Sequence, residues 1–206
     1  VDMYQSGVPV ITALIRGKKV YDPWSGATAW SANPALHIYD YRTRDCEIRP
    51  TESSLPHLLA VRNASNELLR SPDDRATKEA NYEPRFECHS ILSTENGGVD
   101  NFRVLLGSIG GTSTFTDGQY QVRAAIRELP SGPPMTQDML GNGNIVTQPR
   151  PSVFENFNSV RGVFVNAAER YITADYPPYQ SEYYVALNRG HVMPQQIDFA
   201  AVTSPH

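Results

Sequence analysis

"NFRVLLGSIGGTSTFTDGQYQVRA", Asn101 to Ala124, decides the fold. Phe102, Leu105, Leu106 and Ile109 stand at i, i+3, i+4 and i+7, the spacing of one helix face, and Asp100 lies near the helix start. Gly110-Gly111 ends that helix, with one glycine suited to the left-handed conformation. Thr112 to Thr116 is rich in β-branched residues, and Asp117-Gly118 is a strong hairpin turn. Tyr120, Val122, Ala124 and Ile126 then alternate with Gln121, Arg123, Ala125 and Arg127, so the period has changed from 3.6 to 2.

Upstream, Tyr82, Pro84, Phe86 and Cys88 alternate with Glu83, Arg85, Glu87 and His89, a strand pattern, and Glu95 to Gly98 is a loop. The expected unit is therefore β-α-β-β. A helix precedes it: Ser54 reads as its N-cap, the run extends through Leu69, and Leu58, Val61, Ser65 and Leu68 mark its inward face. Ser71-Pro72-Asp73-Asp74 stops it. Asn33-Pro34 reads as N-cap and first residue of another helix to about Tyr41, offering Leu36, Ile38 and Tyr39 for burial. Arg42 to Pro50 reads as polar and irregular. Together these predict a small α+β sandwich with helices on one sheet face.

Before the first helix lies "RGKKVYDPWSGATAWSANPAL", Arg16 to Leu36. Val10 to Ile15 fits a short buried strand, Gly17 permits a tight reversal, and Val20-Tyr21 resumes extended structure. Asp22-Pro23 opens a turn that Gly26 closes. Beyond the centre, Pro130 to Pro134 is a linker by composition. Met135 to Asn144 holds at most a helical turn, Ile145 to Thr147 a short strand, Asn158 to Asn166 a longer strand and Ile197 to Val202 a last one. Tyr171 to Tyr184 reads as a packed loop, because such aromatics more often bury their rings than display them.

The 206 residues are 40% hydrophobic and 19% charged, enough for a real core, and 14 Gly with 16 Pro lean toward β-rich architecture. The formal net charge of −4, with no basic run longer than Arg16 to Lys19, weakens any reading as a general nucleic-acid binder. No apolar stretch is long enough to span a bilayer, and no secretory leader pattern is present. A start at Val1 suggests a piece of a longer chain. Two cysteines, Cys46 and Cys88, suit free thiols from a reducing site of folding, though spacing alone does not decide their pairing.

Catalytic constellations are not legible. Adjacent Cys88 and His89 point to opposite strand faces and cannot form a nucleophile–base pair. Glu87 and His89 share a face but supply only two metal ligands. His57 lies on a first helical turn without an H-E-x-x-H pattern. Gly107-Ser108-Ile109-Gly110 is a helix end, not a nucleophile elbow, and Gly141 to Asn144 is a plain turn with no helix start after it. Asn63-Ala64-Ser65 is a formal glycosylation sequon inside a predicted helix. The reading is of a chain that is not an enzyme and needs no cofactor and no metal.

The stretch from Arg16 to Leu36 resembles the signature of the tail tip attachment protein, or central tail hub, of lambda-like siphophages: a basic strand, V-Y-D-P, a Gly turn, then W-S-x-N-P-A and a helix. Here those positions are Arg16 to Tyr21, Asp22-Pro23, Gly26, Trp30-Ser31 and Asn33-Pro34-Ala35. "YEPRFECHSIL" and Asn101 to Ala124 resemble the family's central β-α-β-β unit, "FNSVRGVFVN" (Phe157 to Asn166) the opening strand of its second barrel, and "DYPPYQSEYY" also has a counterpart. The family's Gly-containing loop after Arg42 is replaced by Arg44-Asp45-Cys46. What the resemblance implies is an α+β, β-rich chain with partial tube-like β-barrel elements at both ends flanking an inserted α+β domain. Its parts are residues 1–30 of a first barrel, 31–129 the insert, 130–144 a linker and 145–206 the start of a second barrel. The implied structural residues are Asp22, Pro23, Gly26, Asn33, Pro34, Gly110, Gly111, Asp117, Gly118, Asn158, Arg161 and Gly162. The implied role is a structural virion protein at the tail tip, made in the host cytoplasm. It would be a homotrimer among tail tube and tip proteins, and would pass DNA without sequence-specific binding or membrane insertion. A carbohydrate- or receptor-binding module and a tail-associated wall hydrolase are the alternative expectations.

Overall fold

The computed structural model describes residues 13, 15–70, 82–127, 134, 136, 139 and 156–204. Most of the expected strand at 10–15, the stop at 71–74, nearly all of the linker and turn at 130–144 and the strand at 145–147 lie outside them. The chain divides into two compact units, Val1–Ser31 and Ala32–His206.

In the first unit, β1 (Val20–Tyr21) pairs antiparallel with β2 (Thr28–Ala29). The reversal between them is the Asp22 corner; most of the strand expected before Gly17 lies outside the described residues. Asp22 Oδ1 accepts the Trp24 N–H at 2.9 Å, and the Asp22 carbonyl accepts Gly26 N–H at 2.9 Å. Gly26 takes φ +71°, which closes the loop where a Cβ would strain it. The aspartate thus supplies both the side-chain and the main-chain bond that the reversal needs.

The second unit is a mixed α+β body of small sheets and short helices. α1 (Pro34–Asp40) starts as its sequence dictates: Asn33 Oδ1 accepts the Ala35 N–H at 3.0 Å and Pro34 fills the first helical position. α1 is buried on nearly every side. It runs on into a π-helical turn, Tyr41–Asp45, so the segment expected to be irregular begins as helix. α2 (Leu55–Ser65) buries Leu58, Val61 and Ser65 but ends four residues earlier than its apolar pattern suggests. Leu68 leaves the helix for β3 (Leu68–Arg70), where it is exposed. β3 pairs with β4 (Tyr82–Pro84), so a partner strand outweighs helical propensity there.

α3 (Gly98–Gly107) buries Leu105 and, just past its end, Ile109; Phe102 and Leu106 are half-buried at its flanks. Gly110 (φ +54°) and Gly111 close it: Gly111 N–H reaches the Leu106 carbonyl at 3.0 Å and Gly110 N–H the Gly107 carbonyl at 3.2 Å. This is the paired-bond glycine cap of P-free helix ends. A Cβ on Gly111 would collide with the Arg123 carbonyl, so the cap also lets the helix end press against the hairpin. The hairpin pairs β5 (Thr112–Thr116) with β6 (Gln119–Arg123) in full register. Asp117 (φ 54°) and Gly118 (φ +73°) both occupy the left-handed region, as a type I′ turn requires.

The β-α-β-β order is present, but its strands do not share one sheet: β4 pairs with β3, and β5 only with β6. Phe86 and Cys88 continue extended without a ladder. Their segment is held by Cys88 N–H to the Ala32 carbonyl and His89 N–H to the Ala201 carbonyl, both 2.8 Å. The core lies between α1, α2, α3 and β6, built from Ala35, Ile38, Leu58, Val61, Leu105, Ile109 and Val122.

Residues 159–166 form two strands, β7 (Ser159–Arg161) and β8 (Val163–Asn166), where one was expected. Gly162 breaks them: a Cβ there would meet the Ile197 carbonyl, and Asp198 Oδ1 accepts the Val163 N–H at 3.2 Å in place of a ladder bond. β8 pairs with β9 (Ile172–Asp175); β7 lies between β10 (Tyr179–Gln180) and parallel β11 (Pro194–Gln196). The last strand is β11; residues 197–202 run beside 161–165 through the Ile197 N–H to the Arg161 carbonyl (2.9 Å), the Phe199 N–H to the Val163 carbonyl (2.8 Å), the Val165 N–H to the Val202 carbonyl (3.3 Å) and an isolated bridge from Phe199 to Phe164. A short helix, α4 (Glu182–Leu187), follows β10 inside the segment expected to be a packed loop. No sheet closes into a barrel among the described residues.

Candidate functional site

The twelve residues singled out by the resemblance do not converge on one site. They sit at separate corners of the backbone: the Asp22-Pro23-Gly26 turn, the Asn33-Pro34 helix start, the Gly110-Gly111 cap, the Asp117-Gly118 hairpin and the Asn158 to Gly162 bend. Arg161 is exposed and contributes its backbone, its carbonyl accepting Ile197 N–H at 2.9 Å. Asn33 does more than cap: its Nδ2 donates to the Arg62 carbonyl (3.1 Å) and to Asn66 Oδ1 (2.8 Å), tying the start of α1 to the end of α2.

Asn158 uses both its backbone and its side chain. It is buried. Its N–H donates to the Met193 carbonyl (3.0 Å) and its carbonyl accepts Ser181 N–H (3.0 Å). Its Oδ1 accepts Met193 N–H (2.7 Å) and its Nδ2 donates to the His191 carbonyl (2.8 Å). One residue therefore pins both ends of the 181–193 excursion that carries α4. No residue of α4 is buried. Tyr179, Tyr183 and Tyr184 are 69%, 71% and 54% exposed, and Leu187 is exposed beside them. The Tyr183 and Tyr184 rings meet edge-on at 5.1 Å. Burial, the usual fate of such rings, is overturned here: Asn158 fastens the excursion at its base and leaves these rings facing solvent.

Two polar constellations lie inside the helical body. Ser54 Oγ and His57 Nδ1 are 2.8 Å apart. Ser54 occupies the N-cap position of α2, but its side chain turns to the imidazole and not to a backbone N–H. Ser54 is buried, its N–H bonds the Tyr120 carbonyl (3.0 Å), and its carbonyl accepts Leu58 N–H (3.1 Å). The pair braces the helix start against β6. Beside His57 opens a cavity of about 160 Å³, floored by Val61, Val122, Ala124 and Ile126, with Arg123 at its rim.

The second constellation is Arg42, only 2% exposed. Its guanidinium carbon lies 4.3 Å from the Tyr120 ring centre and 5.6 Å from that of Phe102. Its terminal nitrogens meet these faces and no hydrogen-bond acceptor. Burial pulls its pKa down to about 10, with the Tyr120 and Cys46 charges opposing the drop. The signal was present in the sequence: Ala35, Ile38, Tyr39 and Arg42 stand at i, i+3, i+4 and i+7, so a helix prolonged by one turn faces Arg42 inward.

The remaining candidates stay apart. Glu87 Oε2 and His89 Nε2 approach at 3.4 Å on a partly exposed surface. No group of three metal-ligating side chains exists among the described residues. Cys46 is an exposed free thiol and Cys88 a buried one. Burial raises the Cys88 pKa, against hydrogen bonds from Ser90 and Ser108. No helix among the described residues is long and apolar enough to cross a membrane. The chain matches no known family model and no curated protein.

Proposed function

We propose that the chain is part of a tail tip hub of a lambda-like siphophage: a structural, non-enzymatic virion component joining tail tube to tip and lining the path of genome delivery. In this reading it works as a homotrimer with other tail proteins, needs no cofactor, and carries partial barrel elements in 1–30 and 145–206 around the insert. The observation that carries the reading is the use of the resemblance's motif residues. The turn aspartate, the capping asparagine, the paired glycines, the type I′ turn and the Asn158–Gly162 bend all hold backbone, and none is spent on reactive chemistry. The mild negative charge suits a conduit, since a basic wall would retain DNA. The test is gold-labelled antibody against the purified chain on intact phage particles. Label at the tail tip is expected; label on capsid or tail shaft alone overturns the proposal, as does release of soluble fragments from peptidoglycan by the purified chain.

A second reading, a carbohydrate- or receptor-binding module of the same tail tip, is favoured by one observation: the tyrosines of 179–184 face solvent. Binding on a glycan array that Tyr179→Ala and Tyr183→Ala abolish is the result this reading requires.

A further inference from the structure

The outer edge of the hairpin is open in a regular way. β5 pairs with β6 alone, and the two-residue turn fixes which groups meet: Thr116 and Gln119 flank it as a hydrogen-bonded pair. Bonded pairs alternate along an antiparallel ladder. Thr112, Thr114 and Thr116 therefore spend their N–H and carbonyl groups on β6, and Ser113 and Phe115 turn theirs outward. On the far side of the hairpin the same rule turns Tyr120 outward, and there its carbonyl accepts Ser54 N–H at 3.0 Å. Ser113 and Phe115 have no such partner among the described residues, so two donors and two acceptors stand along one edge. Thr112–Thr116 carries none of the devices that blunt an edge: no charge, no proline and no bulge. Phe115 is 61% exposed at the end of a row of side chains, its ring centre 4.7 Å from that of Tyr120, which in turn lies on Arg42.

We propose that β5 pairs antiparallel with β5 of a second copy, with Thr114 on the two-fold axis. The strand matches itself in this register: Ser113 faces Phe115 of the second copy, Thr112 faces Thr116 and Thr114 faces Thr114. Ser113 and Phe115 then form the bonded pairs, and all their outward groups are used. A small side chain lies opposite a large one, threonine meets threonine, and the two Phe115 rings become diagonal neighbours that cover each other. No charge meets its like, as any charge on the axis would. An unrelated extended peptide would use the same backbone groups; the self-matching, uncharged side chains favour a second copy. The contact goes beyond the hub reading, since a two-fold pair needs no threefold ring and forbids none.

The experiment combines sedimentation of the full chain over a wide concentration range with amide hydrogen exchange, and melting temperature is the folding control. The native chain is expected to dimerise. The Ser113 and Phe115 amides are expected to gain protection as concentration rises, while those of Thr114 and Thr116 are protected throughout. Thr114→Lys and Thr114→Glu, both at an exposed position, each set like charges across the axis and are expected to weaken association about fivefold at low salt. An equimolar mixture of the two is expected to recover it as a mixed pair. In a Cys46→Ser background, Thr114→Cys is expected to cross-link to itself on mild oxidation and Thr112→Cys is not; the reverse order overturns the register. If a charge variant does not fold, the exchange pattern and the cross-links decide. A native chain that stays monomeric, that associates without protecting Ser113 and Phe115, or whose association ignores charge at position 114 overturns the contact. Trimers formed in either of the last two ways leave the hub reading standing. Dimers with the alternating exchange pattern, from a chain whose antibody does not label the tail tip, keep the contact and remove the hub reading.

Discussion

At the scale of single residues, Arg42 is the most instructive side chain. A buried cation without a carboxylate costs stability, and burial pulls the Arg42 pKa down to about 10. The aromatic faces of Tyr120 and Phe102 offset part of that cost. Because the folded value lies below the unfolded one, the unfolded chain holds more protons above pH about 10, so this group adds stability as pH rises from there toward the unfolded value. Arg42→Met is therefore expected to leave the urea midpoint at pH 7 unchanged or higher, and its advantage over the native chain is expected to shrink by pH 11. Arg42→Ala, which also opens a void, is expected to lose ~2–4 kcal/mol. Equal losses for Met and Ala would show that the charge itself holds the fold. Cys88 makes a second residue-scale case. Its raised pKa means the neutral thiol is favoured on folding, a contribution present below the unfolded value and lost as pH climbs past it. With a thiol-specific dye at pH 8, Cys46 is expected to react at once and Cys88 only when urea unfolds the chain. Simultaneous reaction of both would contradict the burial.

At the scale of elements, α3 shows what patterning specifies. Leu105→Ala is expected to cost ~2–5 kcal/mol by urea denaturation, since the side chain is fully enclosed on the helix that packs against α1. Leu106→Ala, half-buried on the flank, is expected to cost visibly less, and a reversal of that order would mean the helix is rotated. Elements whose causes are local were legible in the sequence: the Asn33-Pro34 start, the Gly110-Gly111 end and the Asp117-Gly118 turn each follow from the residues that make them. Elements decided by a distant partner were not. Leu68 fits the helical stripe of α2 and yet pairs with Pro84 in β3–β4. The 82–88 segment has strand alternation, but Cys88 spends its N–H on Ala32 and so never joins the hairpin. Gly162 signals a break in an extended run only once the Ile197 carbonyl is known to lie beneath it. For the candidate sites, the Ser54–His57 contact is local but turns the capping hydroxyl to the imidazole, while the four bonds of Asn158 depend on long-range neighbours that no spacing reveals.

At the scale of the whole molecule, order should follow burial. The Ala32–His206 unit concentrates its enclosed side chains in α1, α2, α3 and β6, whereas β10, α4 and β11 have none. Amide hydrogen exchange is expected to be slowest at Leu58, Val61, Leu105 and Val122, and fastest through Glu182 to Leu187. Uniform protection across both sets would mean that α4 is packed against something in solution, and a concentration dependence confined to α4 would identify another copy as that cover.

The fastening of residues 181–193 has an evolutionary consequence. A segment fastened at its root, by Asn158 and by the Ser159 N–H on the Met193 carbonyl, makes few demands on its own letters. Its interior can drift, lengthen or be replaced wholesale between related chains while the root and the helical body stay fixed. For the engineer it is a ready insertion point: a foreign epitope placed between Ser181 and Met193 should be displayed without rewriting anything else, provided Asn158 is left alone.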